Sequence, residues 1–514
     1  MALGSTHKQA SMTVLGEKHM RAFTAPLLGA IMALSACGGE APAPTPEASA
    51  QAAISEIVQT KQGAVRGETV TDIGVTAFIY RGIPYAAPPT GELRWKAPQA
   101  AASWEGERDA TKWPNRCPQG ASSMGMNTEI SEDCLYLNVV TAAKTADENR
   151  PVMVFFHGGG LTTGTGSSTT YNHPTLPNKG VVLVTVNSRL GPMGYLAHPA
   201  LSAESGTGSG NFGTLDLKAS LDWVQANIAA FGGDPDNVTI FGESGGGSKV
   251  ISQMATPLAA GLFDRAIVES GSALVDAQRV TLLKDAEATG QKLVAALGVK
   301  EDAGTLAALR ALPWEKLIET AGKEDVGFRA TVVVDGHVIP EPISTIFETG
   351  KQAKVPLIVG ANAGESSLKT NVPLMANLHS KAGNPTWVYN FTQLPKGWRE
   401  EKGCVAFHGL ELTYVFGAVP GGLSSPTTLF LAAGGGCSNA VPVHDETDMK
   451  VAQDAATVWA QFAKTGNPSV EGLIDWPAYT EQTNSYLDIG APLTAKTNVQ
   501  GSYVAPPAGT RGAM

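Results

Sequence analysis

Val238-Thr-Ile-Phe-Gly-Glu-Ser-Gly-Gly-Gly-Ser248 decides the reading of this chain. The run Val238 to Phe241 is apolar and β-branched, as a buried strand requires. Small residues follow, and then Lys249-Val-Ile-Ser-Gln-Met254 has helical character. Gly242-Glu-Ser-Gly-Gly246 therefore sets the G-x-S-x-G spacing between a strand and a helix. A Ser on such a turn takes a strained backbone, often with φ above zero, and the glycines leave room for neighbouring segments to approach. The turn also sets Ser244 at a helix N-terminus, whose dipole favours negative charge growing on a substrate oxygen. The spacing alone arises by chance fairly often. The strand–turn–helix setting makes Ser244 the nucleophile candidate.

Upstream, a second apolar run, Val152 to Phe156, leads into His157-Gly-Gly-Gly-Leu161. On its own this is an ordinary glycine-rich turn. Ahead of a Ser turn it reads as a loop that offers backbone N–H groups to a tetrahedral intermediate, where any Cβ would block the substrate. The expected donors are the N–H groups of Gly159, Gly160 and Gly245. Loss of one such donor typically costs about 10²–10³ in rate. His157 is read as a positioning residue, because the base is expected later in the chain.

A serine nucleophile in this setting is followed in the chain by a carboxylate and then a histidine. Four histidines lie downstream: His337, His379, His408 and His444. His337 sits in a tight turn and reads as structural, His379 has no supporting motif, and His444 reads as a surface or capping residue before a helix at Met449 to Lys464. His408 follows the strand-like run Trp387 to Phe391 and is backed by Gly409, which permits an unusual, exposed backbone position. It is the expected base. Pro356-Leu-Ile-Val-Gly-Ala-Asn-Ala-Gly-Glu365 has the form strand, turn, carboxylate. Glu365 is either a capping residue or the acid that fixes the imidazole tautomer and stabilises the imidazolium.

Working outward, 514 residues would suggest about three domains from length alone, although α/β enzymes often exceed that as one unit. No repeat or clear linker interrupts the chain after Ser55, so residues 55–514 are read as one domain. Its strand-like runs, including Val181 to Val186, are nearly continuous in apolar residues, as in strands buried on both faces. Leu217, Leu221, Val224 and Ile228 form one helical stripe that stops before Gly232-Gly233, and Ala- and Leu-rich helices are expected from Asp285 to Ala321. Alternating strands and helices give an α/β fold: a large, mostly parallel central sheet flanked by helices.

Acidic residues number 47 against 37 basic ones, a formal charge of −10, which argues against nucleic-acid binding. The N-terminal text differs from the rest. Residues 1–19 are polar and read as an extension or tag. Residues 20–36 read as a signal peptide, with Arg21 ahead of an apolar run, Ala25 to Leu34, too short to span a bilayer. Leu34-Ser-Ala-Cys37 resembles the lipobox of bacterial lipoproteins, so Cys37 is the expected lipidation site, with plain secretion the alternative. Residues 37–54, rich in Ala and Pro, read as a tether. The expected location is the periplasmic side of a bacterial membrane, with lipid as the only membrane attachment. Export permits disulfides. The four remaining Cys allow three pairings, and Cys117 with Cys134 and Cys404 with Cys437 are favoured over free thiols. The spacings are not those of metal-ligand pairs, so no metal is expected.

Six stretches together resemble the type-B carboxylesterase family, the cholinesterase-like branch of the α/β-hydrolases. They are Arg81 to Pro89 with Leu93-Arg-Trp95, Glu132-Asp-Cys-Leu-Tyr-Leu-Asn138, the Gly158 loop, Asn187-Ser-Arg-Leu-Gly191, Phe231-Gly-Gly-Asp-Pro235 running on to Gly247, and His408 to Gly417. The resemblance runs from about residue 57 to about 490. It implies the α/β-hydrolase fold, a Ser244–Glu365–His408 triad and the Cys117–Cys134 bridge. The departures carry expectations of their own. Gly245 replaces a common Ala, which should slightly enlarge the pocket. Ser188 replaces a common aromatic, and Ser366 a usual Gly. The Cys117–Cys134 loop holds Met124 and Met126 but no Trp, so specific choline-ester activity is not expected. Gly417 to Cys437 reads as a mobile rim, pinned where Cys404 and Cys437 bond.

The resulting expectation is a serine ester hydrolase acting on a small or medium organic ester through an acyl-enzyme, with no cofactor. Activity should fall on acidification as His408 protonates, from a reference pKa of about 6.5. The same machinery would serve an amidase or carbamate hydrolase. A non-catalytic binding protein of the same fold is the remaining alternative, disfavoured because Ser and His are both present.

Overall fold

Continuous apolar runs do become central strands. In the computed structural model, which describes residues 53–72, 74–120, 128–274, 279–419, 431–438 and 441–507, eleven strands form one sheet. They are β1 (Glu68–Asp72), β2 (Val75–Pro84), β3 (Tyr136–Thr141), β4 (Arg150–Phe156), β5 (Val182–Val186), β6 (Gly233–Glu243), β7 (Arg265–Glu269), β8 (Leu357–Asn362), β9 (Thr386–Phe391), β10 (Ser485–Ile489) and β11 (Thr494–Thr497). Their order across the sheet is β1-β2-β3-β5-β4-β6-β7-β8-β9-β10-β11. From β5 through β10 every neighbouring pair is parallel. The outer pairs β1–β2, β2–β3, β3–β5 and β10–β11 are antiparallel. The five strand-like runs of the sequence are β4, β5, β6, β8 and β9. The structure adds β7, a short run between acidic and basic residues, and the edge strands.

Alternation along each strand builds two apolar layers. Val152, Val154 and Phe156 of β4 join one cluster, and Met153 and Phe155 join the other. The first is covered by α1 (Phe212–Asn227) and α2 (Gly245–Ala255), which contribute Leu217, Leu221, Val224, Val250 and Ile251. The second is covered by α3 (Glu446–Thr465), through Val451, Ala455, Val458, Trp459 and Phe462. Ile228, the last residue of the expected stripe, starts a 3-10 turn that Gly232 ends at φ 79. The region from Asp285 to Ala321 is three helices, Leu283–Ala296, Thr305–Ala311 and Trp314–Ala321. The start of α3 is capped by Asp445, whose side chain accepts from the Asp448 N–H, so the capping role expected of His444 belongs to its neighbour.

Cys117–Cys134 and Cys404–Cys437 are both disulfide-bonded. Two disulfides suit a protein of an oxidising, extracytoplasmic compartment. Among the described residues no helix is long and apolar enough to cross a membrane. The chain divides into two units, Met1–Ala50 and Gln51–Met514, and the first lies wholly outside the described residues, with Arg21 and Cys37. The end of the expected tether is not free chain: Ala53 bridges Thr145 and the Ile54 N–H donates to Lys144 O at 2.8 Å, so the domain begins there. Met124, Met126 and residues 420–430 of the glycine-rich rim lie outside them too.

Candidate active site

The site gathers at the ends of β4, β6, β7 and β8, the carboxyl edge where parallel α/β sheets place their ligands. Ser244 is the single residue between β6 and α2, held at φ 59 and ψ −120. Such a backbone costs on the order of 1–3 kcal/mol in an L-residue and persists only where its surroundings enforce it. Here the Ser244 N–H donates to Glu269 O at 2.8 Å and the Ser248 N–H donates to Ser244 O at 3.0 Å. The flanking glycines are required by the end of β4. A Cβ on Gly246 would lie 1.9 Å from Phe156 O, and one on Gly242 would lie 2.6 Å from the same oxygen.

The glycine loop after β4 is pressed onto this turn. Gly159 and Gly160 have φ of 98 and 61, conformations that a side chain would strain. A Cβ at Gly245 would stand 2.5 Å from Gly160 N and 2.9 Å from Gly160 Cα. The missing methyl therefore does not enlarge the pocket as expected: Gly160 of the glycine loop occupies that space. Behind the loop, the Thr162 and Thr163 N–H groups donate to Gly159 O at 3.1 and 3.0 Å.

Glu365 and His408 meet. His408 Nδ1 is 2.7 Å from Glu365 Oε1. Glu365 is buried, and its other oxygen accepts from Ser270 Oγ at 2.7 Å and from the Asn362 N–H at 2.9 Å. The loop carrying His408 is tied to the end of β8: the Gly364 N–H donates to Ala406 O at 2.9 Å and Asn362 Nδ2 to Phe407 O at 2.6 Å. Gly409 follows at φ 78. On its free side, His408 Nε2 lies 3.2 Å from Glu243 Oε1, an ionic contact without hydrogen-bond alignment. No hydrogen bond joins it to Ser244 Oγ; the link to the nucleophile turn is through Glu243, the residue before Ser244. Gly158 packs on the same turn, where a Cβ would lie 2.8 Å from Glu243 Oε2 and 3.4 Å from Ser244 Cβ.

Three buried carboxyls act on this ring, Glu243, Glu365 and Glu411, and a fourth, Glu269, acts on Glu243 and Glu411. Burial pushes the imidazole down, but the Glu243 and Glu365 carboxylates, aided by Glu411, outweigh it and raise His408 to about 10. Burial likewise raises Glu243, to about 7, against the pull of His408 and with a further push from Glu365. For Glu365 burial is outweighed by His408 and by the Asn362 and Ser270 hydrogen bonds, so it stays below the usual carboxylate range. Burial takes Glu269 up to about 8 and Glu411 well above its ordinary value. Glu411 is held by Asn362 Nδ2, and Glu269 Oε1 accepts from Trp459 Nε1 at 2.8 Å.

Ser270, Asn362, Glu243 and Glu411 were not foreseen. Glu243 stands in an open position of the G-x-S-x-G spacing, where the motif sets no requirement. Ser270 has φ 54 and lies in Glu269-Ser-Gly271 after the apolar run of β7, a strand–turn signal like that at Ser244. The other histidines stand apart. His379 is buried on the helix Asn371–Lys381, with Nε2 2.8 Å from Val355 O, and burial lowers it to about 4. His337 belongs to a turn whose N–H groups Asp335 accepts.

The chain is similar over most of its length to proteins of one enzyme family. A profile of the Carboxylesterase family matches residues 54–374 and 364–505. The para-nitrobenzyl esterase of Bacillus subtilis (strain 168) is 34% identical over 86% of this chain and 96% of that protein. Fumonisin B1 esterase of Sphingopyxis macrogoltabida is 32% identical over 84% of this chain and 86% of its own length. Liver carboxylesterase 1 of Oryctolagus cuniculus is 31% identical over 87% and 92%. A solved PNB esterase structure superposes with a TM-score of 0.75 at 30% identity, covering 87% of this chain and 99% of its own. With the profile and the relatives spanning nearly all of the described sheet, the chain belongs to the carboxylesterase family, the cholinesterase-like branch of the α/β-hydrolases, and is a carboxylic-ester hydrolase.

Proposed function

We propose that Ser244 is the acylated nucleophile, His408 its general base and Glu365 the acid that orients and stabilises the ring. The observation that carries this is the 2.7 Å contact of His408 Nδ1 with Glu365, beside a serine held at φ 59. His408 Nε2 leaves Glu243 and takes the Ser244 proton as Oγ attacks the ester carbonyl. The developing oxyanion is met by the N–H groups of Gly159, Gly160 and Gly245. The tetrahedral intermediate collapses, His408 returns the proton to the leaving alkoxide, and the alcohol departs. Water, deprotonated by the same ring, then attacks the acyl-enzyme and frees the acid and Ser244.

The substrate is a small or medium organic ester. The names of the relatives, a para-nitrobenzyl and a fumonisin B1 esterase, support non-choline esters with bulky alcohol parts. A fluorophosphonate probe tests the nucleophile: it should label the intact protein at Ser244, and Ser244→Ala should lose both the label and at least about 10³ of kcat. Labelling that survives this substitution overturns the assignment. The lipid-anchored, periplasmic placement, with residues 20–36 as signal and Cys37 as anchor, is part of the same reading.

A further inference from the structure

Lys249 lies on α2, one turn beyond Ser244, and is 1% exposed. Burying a cation without an anion is costly, and among the described residues no carboxylate pairs with it. Burial alone lowers it to about 7. Its contacts are with His157: Nζ donates to His157 O at 3.1 Å and lies 3.4 Å from His157 Nε2. His157 is buried too, and burial together with the Lys249 charge holds it neutral. Its Nδ1 is 2.8 Å from Gly158 O. One tautomer satisfies both ends, with Nδ1–H donating to Gly158 O and the Nε2 lone pair facing the Lys249 nitrogen. The ring is wedged in place, since a Cβ on Gly164 would lie 2.4 Å from Nδ1.

The Gly158 carbonyl and the Gly159 N–H are two ends of one peptide group. A hydrogen bond that draws electron density onto that oxygen makes the N–H a better donor, and chains of hydrogen bonds strengthen one another in a dry interior. The next peptide is backed in the same way by the Thr162 and Thr163 amides on Gly159 O. We propose that Lys249 is a positioning residue for the oxyanion loop: acting through His157, it fixes and polarises the Gly158–Gly159 peptide so that the Gly159 N–H binds the tetrahedral oxyanion more strongly than the ground-state carbonyl. This rests on the reading of Ser244 as nucleophile and Gly159 as donor.

Lys249→Met and His157→Asn test it in the full chain. An asparagine can keep the hydrogen bond that Nδ1 makes to Gly158 O while removing the Nε2 lone pair that faces Lys249, leaving only the Lys249 contact with the residue 157 carbonyl. Each substitution should lower kcat about tenfold, less than the loss of a whole donor, with KM within about twofold. Affinity for a trifluoromethyl ketone, whose Ser-bound hemiketal oxygen takes the oxyanion position, should fall by the same factor. The double variant should be no worse than either single one, because both cut one chain. Wild-type kcat and ketone affinity in His157→Asn overturn the proposal even where Lys249→Met does not fold, as do losses that multiply in the double variant. A wild-type protein that does not react at Ser244 instead overturns the underlying assignment.

Discussion

His408 stands between two carboxylates, and that placement changes what its titration means. A lone imidazole would be half protonated at about pH 6.5. Here the opposed charges of Glu243 and Glu365 raise it to about 10, against the effect of burial. A general base must be neutral before it accepts the Ser244 proton. Two carboxylates oppose neutralisation of the proposed base: Glu243 at Nε2 and Glu365 at Nδ1. Burial raises Glu243 itself, to about 7. Removing the Glu243 charge while keeping the shape separates the two. Glu243→Gln should shift the acid limb of the kcat/KM profile down by about one pH unit or more, because a neutral amide no longer favours the imidazolium. An unmoved or upward-shifted limb would show that Glu365 alone sets the ring. If activity falls on acidification, its midpoint is expected to belong to this cluster rather than to an isolated histidine.

The contact between β4, the turn after β6 and α2 is as tight as backbone allows, and it explains which parts of the site were legible in the sequence. Gly242, Gly246 and the Gly158 loop stand out in the text because close approach forbids side chains, and this is visible wherever it occurs. Val152 to Phe156 and Val181 to Val186 were legible for a related reason: strands buried on both faces need no polar alternation. The short β7, Arg265–Glu269, has charged residues at both ends and gave no such signal. Ser270, Glu411 and Lys249 were illegible because their roles come from burial beside partners distant in the chain, which no local pattern records. The space freed at Gly245 was misread for the same reason, since only the fold shows Gly160 lying there. Gly246→Ala tests the tightness directly. Its Cβ would meet Phe156 O at 1.9 Å, and neither partner is a flexible side chain. The substitution should cost about 3 kcal/mol or more, above any gain in helix propensity, read as a lower midpoint in denaturant. An unchanged midpoint would mean that β4 and α2 can separate freely, and the oxyanion loop with them.

Two disulfides and an acidic surface bear on where the whole protein works. Cys404–Cys437 ties the segment before His408 to residues 431–438, where the Val405 N–H also donates to Gly435 O at 3.0 Å. Each bridge contributes on the order of 3 kcal/mol if it survives, and a reducing cytosol would remove it. The bridge that braces the His408 loop therefore suits the proposed export, for which the apolar run Ala25 to Leu34 would be the signal. Once exported, a chain of net charge −10 is repelled by an anionic lipid surface rather than drawn to it. On the proposed reading, membrane association comes from acyl groups on Cys37, at about 0.8 kcal/mol per buried CH₂. Removing the thiol should leave no residual attachment. Cys37→Ala should move the protein from the membrane pellet to the soluble exported fraction, with kcat and KM for the same ester unchanged, since Cys37 lies far along the chain from Ser244, Glu365 and His408 and outside the family match, which starts at residue 54. Fractionation followed by esterase assay reads both quantities at once. Wild-type protein already soluble, or a variant that still sediments with membranes, would sink the lipid anchor and leave plain secretion, without touching the chemistry at Ser244.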